Sequence, residues 1–504
     1  MGTSGLNNKA ATGLSSSRTG FARFASLAYG GVFALTLGVS HFALAAETQF
    51  TPIISLSETY TDNVLLAPRG LEESDWVTEV TGGFNFSGTG RRARANLNYT
   101  PSFYTYAGQN KTDLRQRMSG SGEIEAMRDH IFITGNASTY QTFTGVEDDI
   151  SISDRNISGD RVQVFAYSLG PEFRNRFGSK ADATLSYQFR STNFGQPDDP
   201  EAIDVADSIM HRVFLQVNSG EDFQRFRWDV ATEWTKQQRN EDASDIRNNS
   251  IRANGRYSLT HTVAFTSSFG YRHYSYDNQT SDLSGVIWDL GVRLTPSRRA
   301  QLNVSYGKDQ QNKHWTVNGS YQLEARTSVS ISYNEQYTTS QEIQPINVPP
   351  VGQPQPVLPG LGGAFDFGNR TENPGNSLTN EVFLQKRFSV SLSHRFQKTS
   401  LSLNASDERH IFDGGTSEKV QRAGVQVSRP FGGGISAGAG LSYIGRDEDT
   451  GREDDTYFGS VTINRALTTM SSIFVSYDYT NRKSNEDEFD LRENAVTVGV
   501  TARF

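Results

Sequence analysis

The chain has 504 residues, with no cysteine, 46 glycines, 35% hydrophobic residues, 21% charged residues and a formal charge of −8. Its mean hydropathy is −0.54, and no apolar run of about 18 residues follows residue 46, which excludes a helical membrane protein beyond an N-terminal segment. The missing thiols exclude a disulfide scaffold, a cysteine nucleophile and Cys-ligated metal, and the acidic balance argues against non-specific nucleic-acid binding.

Residues 1–45 read as an export signal. Lys9, Arg18 and Arg23 precede an apolar stretch over about 25–39, followed by Ala43-Leu44-Ala45. A basic region, a short apolar core and an A-x-A site are the marks of a cleaved secretory signal. Removing three of the 48 basic residues leaves 45 against 56 acidic ones, a charge of −11 for residues 46–504. No cysteine follows the site, so a lipoprotein is not expected.

From there the pattern has period two to the last residue. Ala93, Ala95, Leu97 and Tyr99 alternate with Arg92, Arg94, Asn96 and Asn98. Phe226, Trp228, Val230 and Trp234 alternate with Arg227, Asp229, Glu233 and Thr235. Ile251, Ala253 and Tyr257 alternate with Arg252, Asn254 and Arg256. Short connections (88–90, 128–130, 178–179, 260–261, 297–299, 397–398 and 432–433) take turns with longer polar ones (144–160, 194–207, 240–248, 339–380, 447–454 and 483–490). A soluble sandwich has no reason to put its long loops at one end, whereas an outer-membrane barrel has short periplasmic turns and long outer loops. The ladders predict an all-β fold: one closed antiparallel transmembrane barrel over residues 46–504. It has about 22 strands (18–24), starting near Thr51.

The final ladder ends Val496, Val498, Val500, Ala502, Phe504 on one face. Val500, Ala502 and Phe504 form the expected signal for the barrel-assembly machinery. Residues 339–380 hold seven of the 15 prolines and cannot continue a sheet. They are expected to form a long outer loop, folded across the mouth as a semi-rigid lid or hanging in solvent.

Catalytic and cofactor motifs are not found. His130, His211, His261, His273, His314, His394 and His410 form no ligand pair and read as solvated polar residues, and neither a nucleophile elbow nor a P-loop occurs. No enzyme activity, cofactor or metal site is expected. Acidic clusters at Asp148-Asp149, Asp198-Asp199, Glu453-Asp454-Asp455 and Glu486-Asp487-Glu488 lack calcium-loop spacing. They read as outer-loop charge able to meet lipopolysaccharide through divalent cations. By register, the expected lumen lining is Arg92, Arg94, Arg115, Arg117, Asp182, Arg227, Asp229, Glu233, Arg252, Arg256, Arg272 and Arg293, with Glu123 and Glu125 interleaved.

Three segments carry a family resemblance: Ser57-Glu58-Thr59-Tyr60-Thr61-Asp62-Asn63-Val64, Gly88-Thr89-Gly90-Arg91-Arg92, and Thr379-Asn380-Glu381-Val382-Phe383-Leu384. They resemble an outer-membrane β-barrel family associated with the PEP-CTERM/exosortase system, across essentially all of residues 46–504. The resemblance implies a Gram-negative outer-membrane location and a part in exopolysaccharide production or protein sorting, and it assigns no functional residue. A pore or accessory for exopolysaccharide export is therefore the leading expectation. Its partners would be outer-membrane lipid and lipopolysaccharide, the assembly machinery and export components, with no nucleic acid. The alternatives are a structural or adhesive barrel with a closed lumen, and a nutrient-uptake porin. A plugged 22-stranded receptor is disfavoured because so little chain precedes the first strand. Deleting Phe504, or replacing it with a charged residue, is expected to leave the protein unfolded and degraded in the periplasm. Loss of the heat-modifiable band on a gel checks this.

Overall fold

The alternation produces 22 antiparallel strands. A computed structural model describes residues 47–144, 155–157, 161–197, 204–240, 243–276, 283–309, 312–343, 378–412, 414–449 and 451–504. The first strands are β1 (Glu47–Thr61), β2 (Asp75–Thr89), β3 (Ala93–Tyr106), β4 (Lys111–Met127), β5 (Ile131–Phe143), β6 (Arg161–Phe177) and β7 (Ala181–Phe194). Next come β8 (Ser208–Ser219), β9 (Phe226–Arg239), β10 (Ile246–Ser258), β11 (Val263–Tyr276), β12 (Gly285–Ser297), β13 (Ala300–Asp309), β14 (Asn312–Glu324) and β15 (Thr327–Thr339). A one-turn helix, α1 (Ser340–Ile343), follows. The last are β16 (Val382–Arg395), β17 (Ser400–Phe412), β18 (Ser417–Phe431), β19 (Ile435–Glu448), β20 (Glu453–Ala466), β21 (Ser471–Ser484) and β22 (Leu491–Arg503).

Two compact units are distinguished. One, Thr48–Gly88 with Arg92–Phe504, is the barrel; the described residues of the other are Glu47 and Thr89–Arg91. The expected export signal at 1–45 lies outside the described residues. In the barrel every strand pairs with its chain neighbours, and β1 pairs with β22 from Ile53 opposite Arg503 to Thr61 opposite Ala495. Closure leaves no sheet edge, the condition for a sheet to sit in hydrocarbon. The first strand starts at Glu47, four residues before the expected Thr51.

Parity decides which side chains meet which solvent. On β22, Val496, Val498 and Val500 are 45%, 47% and 42% exposed, while Thr497 and Thr501 between them are 4% and 3% exposed. The same outward ladder continues through Trp234, Ile251, Phe265, Phe269, Tyr271, Leu290 and Trp315, all exposed. In water such a surface would drive aggregation; against acyl chains it costs nothing. Tyr60 and Trp76 pack together near the long-loop rim with their rings tilted and centroids 5.3 Å apart, where a barrel carries its aromatic girdle.

Connections alternate in length as well as in end. Those at the short-turn rim run from two residues (298–299) to six (220–225). In the three-residue turn from β18 to β19, Gly433 and Gly434 take φ of 72° and 75°, a backbone that only glycine adopts without strain. The other rim holds the long connections, but not every link there is long: β13 ends at Asp309 and β14 starts at Asn312, and the β3–β4, β17–β18 and β19–β20 links have four residues each. Most of the proline-rich loop, 344–377, lies outside the described residues, and so does the expected lid. Short turns belong in the periplasm and long loops outside. Cysteines placed at Ser179 or Ser297 should therefore resist a membrane-impermeant thiol reagent on intact cells, and cysteines at Ser244 or Ser484 should react. Labelling that ignored this division would contradict the assigned orientation.

Candidate functional site

The inner face changes character along the barrel axis. Toward the short turns its ion pairs are open to water: the Arg176 and Asp182 side chains are 68% and 44% exposed. Toward the long loops they are enclosed, as with Glu408, Arg446 and Asp454 at 0%, 5% and 2%. The candidate site is this packed outer half and the connections that fold into it.

The first of these is the β5–β6 connection, whose described residues 155–157 reach across to the seam between β1 and β22. Arg155 pairs with Asp478 on β21 at 2.5 Å and also donates to Thr497 on β22. Asn156 donates to Glu493 at 2.8 Å and to the Asn63 carbonyl at 3.3 Å, and its own carbonyl accepts from Arg115 at 3.0 Å. The Ile157 amide donates to the Val64 carbonyl at 3.0 Å, and its side chain packs on Val64, Val77, Tyr104 and Tyr106. Burial opposes the Arg155 charge, but Asp478 more than offsets it and holds the guanidinium pKa above its ordinary value.

The seat is built by residues 57–64, the segment singled out in the sequence. Thr59 shares a hydroxyl contact with Thr497 at 2.9 Å, and Thr61 donates to Glu493 at 2.7 Å. Asp62 accepts from the backbone and side-chain amides of Asn494 at 2.6 and 2.7 Å. Asn63 folds the chain back on itself: its carboxamide exchanges hydrogen bonds with the Ala67 backbone, both at 2.8 Å, and donates to the Arg492 carbonyl at 3.0 Å. Leu66 turns inward with φ of 54°. Gly499 lies under the Phe474 ring, where a Cβ would come within 2.4 Å of ring carbon; the ring covers the bare backbone.

The second inward element is α1 with residues 378–380, which flank the proline-rich loop. Arg190 on β7 donates to the Gln341 carbonyl at 3.3 Å, and Gln341 donates to the Ala206 carbonyl at 3.1 Å. Asn380 accepts from the Ala206 amide at 2.9 Å, and its carbonyl accepts from Arg239 at 2.9 Å. Leu378 joins Tyr140, Val162, Val164, Phe194 and Val205 in one apolar cluster. Burial pushes the Glu342 carboxyl up, against the pull of the Thr338 hydroxyl and of Arg190 and Arg239.

A third group lines β16 to β20. Glu408 accepts from His410 at 2.7 Å, from Arg422 at 3.2 Å and from Gln385. His410 also faces Glu418 at 3.5 Å, and Arg446 bridges Glu418 and Glu448 at 3.0 and 2.9 Å. His410 is 2% exposed, which corrects its reading as a solvated residue; His314 likewise bonds Asp289 at 2.9 Å. Asp454, taken for loop charge, is buried against Arg452 at 2.9 Å. Glu486, Asp487 and Glu488 are exposed beside a short 3-10 turn, whereas Asp148, Asp149, Asp198 and Asp199 lie outside the described residues. Among the described residues no group of three or more His, Asp or Glu could hold a metal ion.

Eleven of the twelve expected lining residues stand on strand faces opposite the exposed apolar ladder; Arg92 lies in the turn before β3. They do not converge on one point. Arg94 pairs with Glu123 at 2.5 Å, Asp182 with Arg176 at 3.0 Å, Glu233 with Arg212 at 2.7 Å and Arg272 with Asp309 at 2.5 Å. Arg252 stands 3.9 Å from Asp289, and Asp229 accepts from Asn254 at 2.6 Å. Glu125 accepts from the Asp129 amide at 2.6 Å. Arg115 belongs to the packed outer half, bonded to Asp113, Tyr106 and Asn156, and Arg117 lies one inner position below it, partly buried. Sequence reasoning missed Arg155, Asp478, Glu493, Glu408, Glu418 and Arg446. For the strand residues, inward parity was the available signal; for Arg155, on a loop, there was none.

Residues 399–504, from β17 to β22, match the family described as "Putative beta-barrel porin 2". No curated protein matches the chain. Among solved structures it is similar to the siderophore receptor PirA from Acinetobacter baumannii, at 10% identity and a TM-score of 0.51, over 90% of this chain and 80% of that one. It is also similar to a mutant ferric enterobactin receptor, PfeA, from Pseudomonas aeruginosa in complex with enterobactin, at 10% identity and a TM-score of 0.51, over 92% and 82%. A variant of the FrpB iron transporter from Neisseria meningitidis matches at 10% identity and 0.50, over 90% and 81%. These likenesses establish the fold, a closed 22-stranded barrel of the outer-membrane type.

The docking of Arg155 sets an expectation. Arg155→Ala leaves Asp478 enclosed beside Glu493 without its guanidinium, and breaking a buried pair costs roughly 3 kcal/mol, less here because both side chains keep some exposure. The unfolding temperature in detergent should fall for Arg155→Ala and recover in the double variant Arg155→Gln with Asp478→Asn. An unchanged midpoint in the single variant would mean that the connection does not hold this position.

Proposed function

We propose that this protein is a porin-like conduit of the outer membrane, loaded from the periplasm and closed at its outer mouth by its own inward-folded connections. Exopolysaccharide export linked to a PEP-CTERM/exosortase system is the process it serves. The observation that carries the reading is the axial asymmetry of the interior, water-exposed and arginine-rich toward the short turns and packed toward the long loops. A barrel for free two-way diffusion gains nothing from a sealed outer half, whereas one that must retain periplasmic contents until cargo arrives requires it. The resemblance of residues 57–64 supplies the link to the export system, and those residues make the seat on which the β5–β6 connection docks. The fold is shared with proteins described as siderophore receptors and an iron transporter, so uptake through an opening mouth is the second reading. The role is binding and passage, without enzymatic chemistry.

Reconstitution in planar bilayers tests the conduit. The wild-type barrel should conduct rarely, and Arg155→Ala combined with Asn156→Ala should open a larger, longer-lived conductance while the protein stays folded by heat-modifiable mobility. Silence from both folded proteins would leave a closed scaffold. Deletion of the gene should lower cell-surface polysaccharide without impairing growth under iron limitation; the reverse pattern would favour uptake.

A further inference from the structure

Most inner-face guanidiniums of this barrel are answered by a carboxylate, as the pairs of Arg94, Arg212, Arg252 and Arg272 show. The short-turn end of β9 to β12 departs from that rule. Arg256 on β10 stands directly across from Arg227 on β9. On β12, beyond one intervening strand, is Arg293, whose cross-strand partner is Ala264. Arg227 and Arg256 form no ion pair among the described residues, and the buried Nε of Arg256 has no hydrogen-bond partner. Arg293 donates to the neutral Gln301 at 2.7 Å. Asp229, the next inner-face residue of β9, is taken up by Asn254 at 2.6 Å. Arg256 and Arg293 line a recess of about 470 Å³ together with Arg225 and the hydroxyl-bearing Ser258, Thr262 and Thr295.

Like charges placed directly opposite each other weaken a strand pair, so this arrangement works against the fold, and Arg293 gains only the neutral Gln301 in return. Each guanidinium is a planar fork suited to a carboxylate or phosphate. From β9 to β12 is three strand spacings, about 14 Å at ~4.8 Å each. One small anion cannot bridge that distance, whereas successive charges along a chain can. We infer that Arg227, Arg256 and Arg293 form a binding site at the periplasmic mouth for a polymer bearing repeated oxyanions, each guanidinium taking one carboxylate or phosphate and the hydroxyls of the recess donating to the chain between them. As the cargo class of the conduit this rests on the export reading; as a binding site it stands by itself.

The test is fluorescence anisotropy on the full-length protein in detergent with labelled oligogalacturonate, polyphosphate and neutral dextran. At least one of the two polyanions should bind, with an affinity that falls as salt rises, and dextran should not. Whichever polyanion binds tighter identifies the carboxylate or the phosphate source. Arg227→Gln and Arg256→Gln should each weaken binding by about fivefold or more, while Arg176→Gln, at an already paired rim residue, should leave it unchanged. Because the cluster opposes folding, Arg256→Gln should also unfold at a temperature no lower than the wild type. Binding of dextran, undiminished polyanion binding by both variants, binding of neither polyanion, or a clear loss of stability in Arg256→Gln would overturn the site. Polyanion binding to a barrel that never conducts would sustain the site and refute the conduit; normal conductance without polyanion binding would do the opposite.

Discussion

Everything in this molecule depends on closing the sheet between its first and last strands. In hydrocarbon an unpaired backbone amide has no solvent to turn to, so the barrel is stable only once the β1–β22 register from Ile53 opposite Arg503 to Thr61 opposite Ala495 is made. That seam joins residues more than four hundred positions apart. Small inward residues, Thr59, Thr61, Thr497 and Gly499, let it lie flat against what covers it. The Thr59–Thr497 and Thr61–Glu493 contacts link the two strands by side chains as well as backbone.

The same seam is where the described residues of the β5–β6 connection dock, so their seat exists only once the sheet is closed. Arg155 and Asn156 find their partners on β21, β22 and the turn after β1, groups that are side by side only in the completed barrel. Enclosed ion pairs of this kind add little net stability, since desolvation offsets most of the attraction, but a wrong pairing leaves a buried charge alone and is strongly disfavoured. The pair of Asp478 with Arg155 therefore acts chiefly as a specifier of how the β5–β6 connection folds inward. Near the short turns water remains available, the charges need no such exact partners, and a guanidinium cluster can persist unanswered.

Much of the fold was legible in the chain. Period-two alternation sorts lipid-facing from inward-facing residues at every strand, because one face meets hydrocarbon and the other polar groups; alternating connection lengths place the two rims. Both follow from local pattern, and so the strand number, the antiparallel meander and the inward placement of Arg227, Asp229, Arg252 and Arg256 could all be read without coordinates. What only the tertiary structure decided is which inward side chains meet. Parity says that His410 and Asp454 point inward but cannot say that they are enclosed, because enclosure comes from neighbours on other strands and from loops folding over them. Nor can it say that Arg155, on a loop without periodicity, ends on Asp478 more than three hundred residues away. A ladder of alternating residues determines a wall; the contacts across the space that the wall encloses are set by its curvature and closure, which no local stretch of sequence contains.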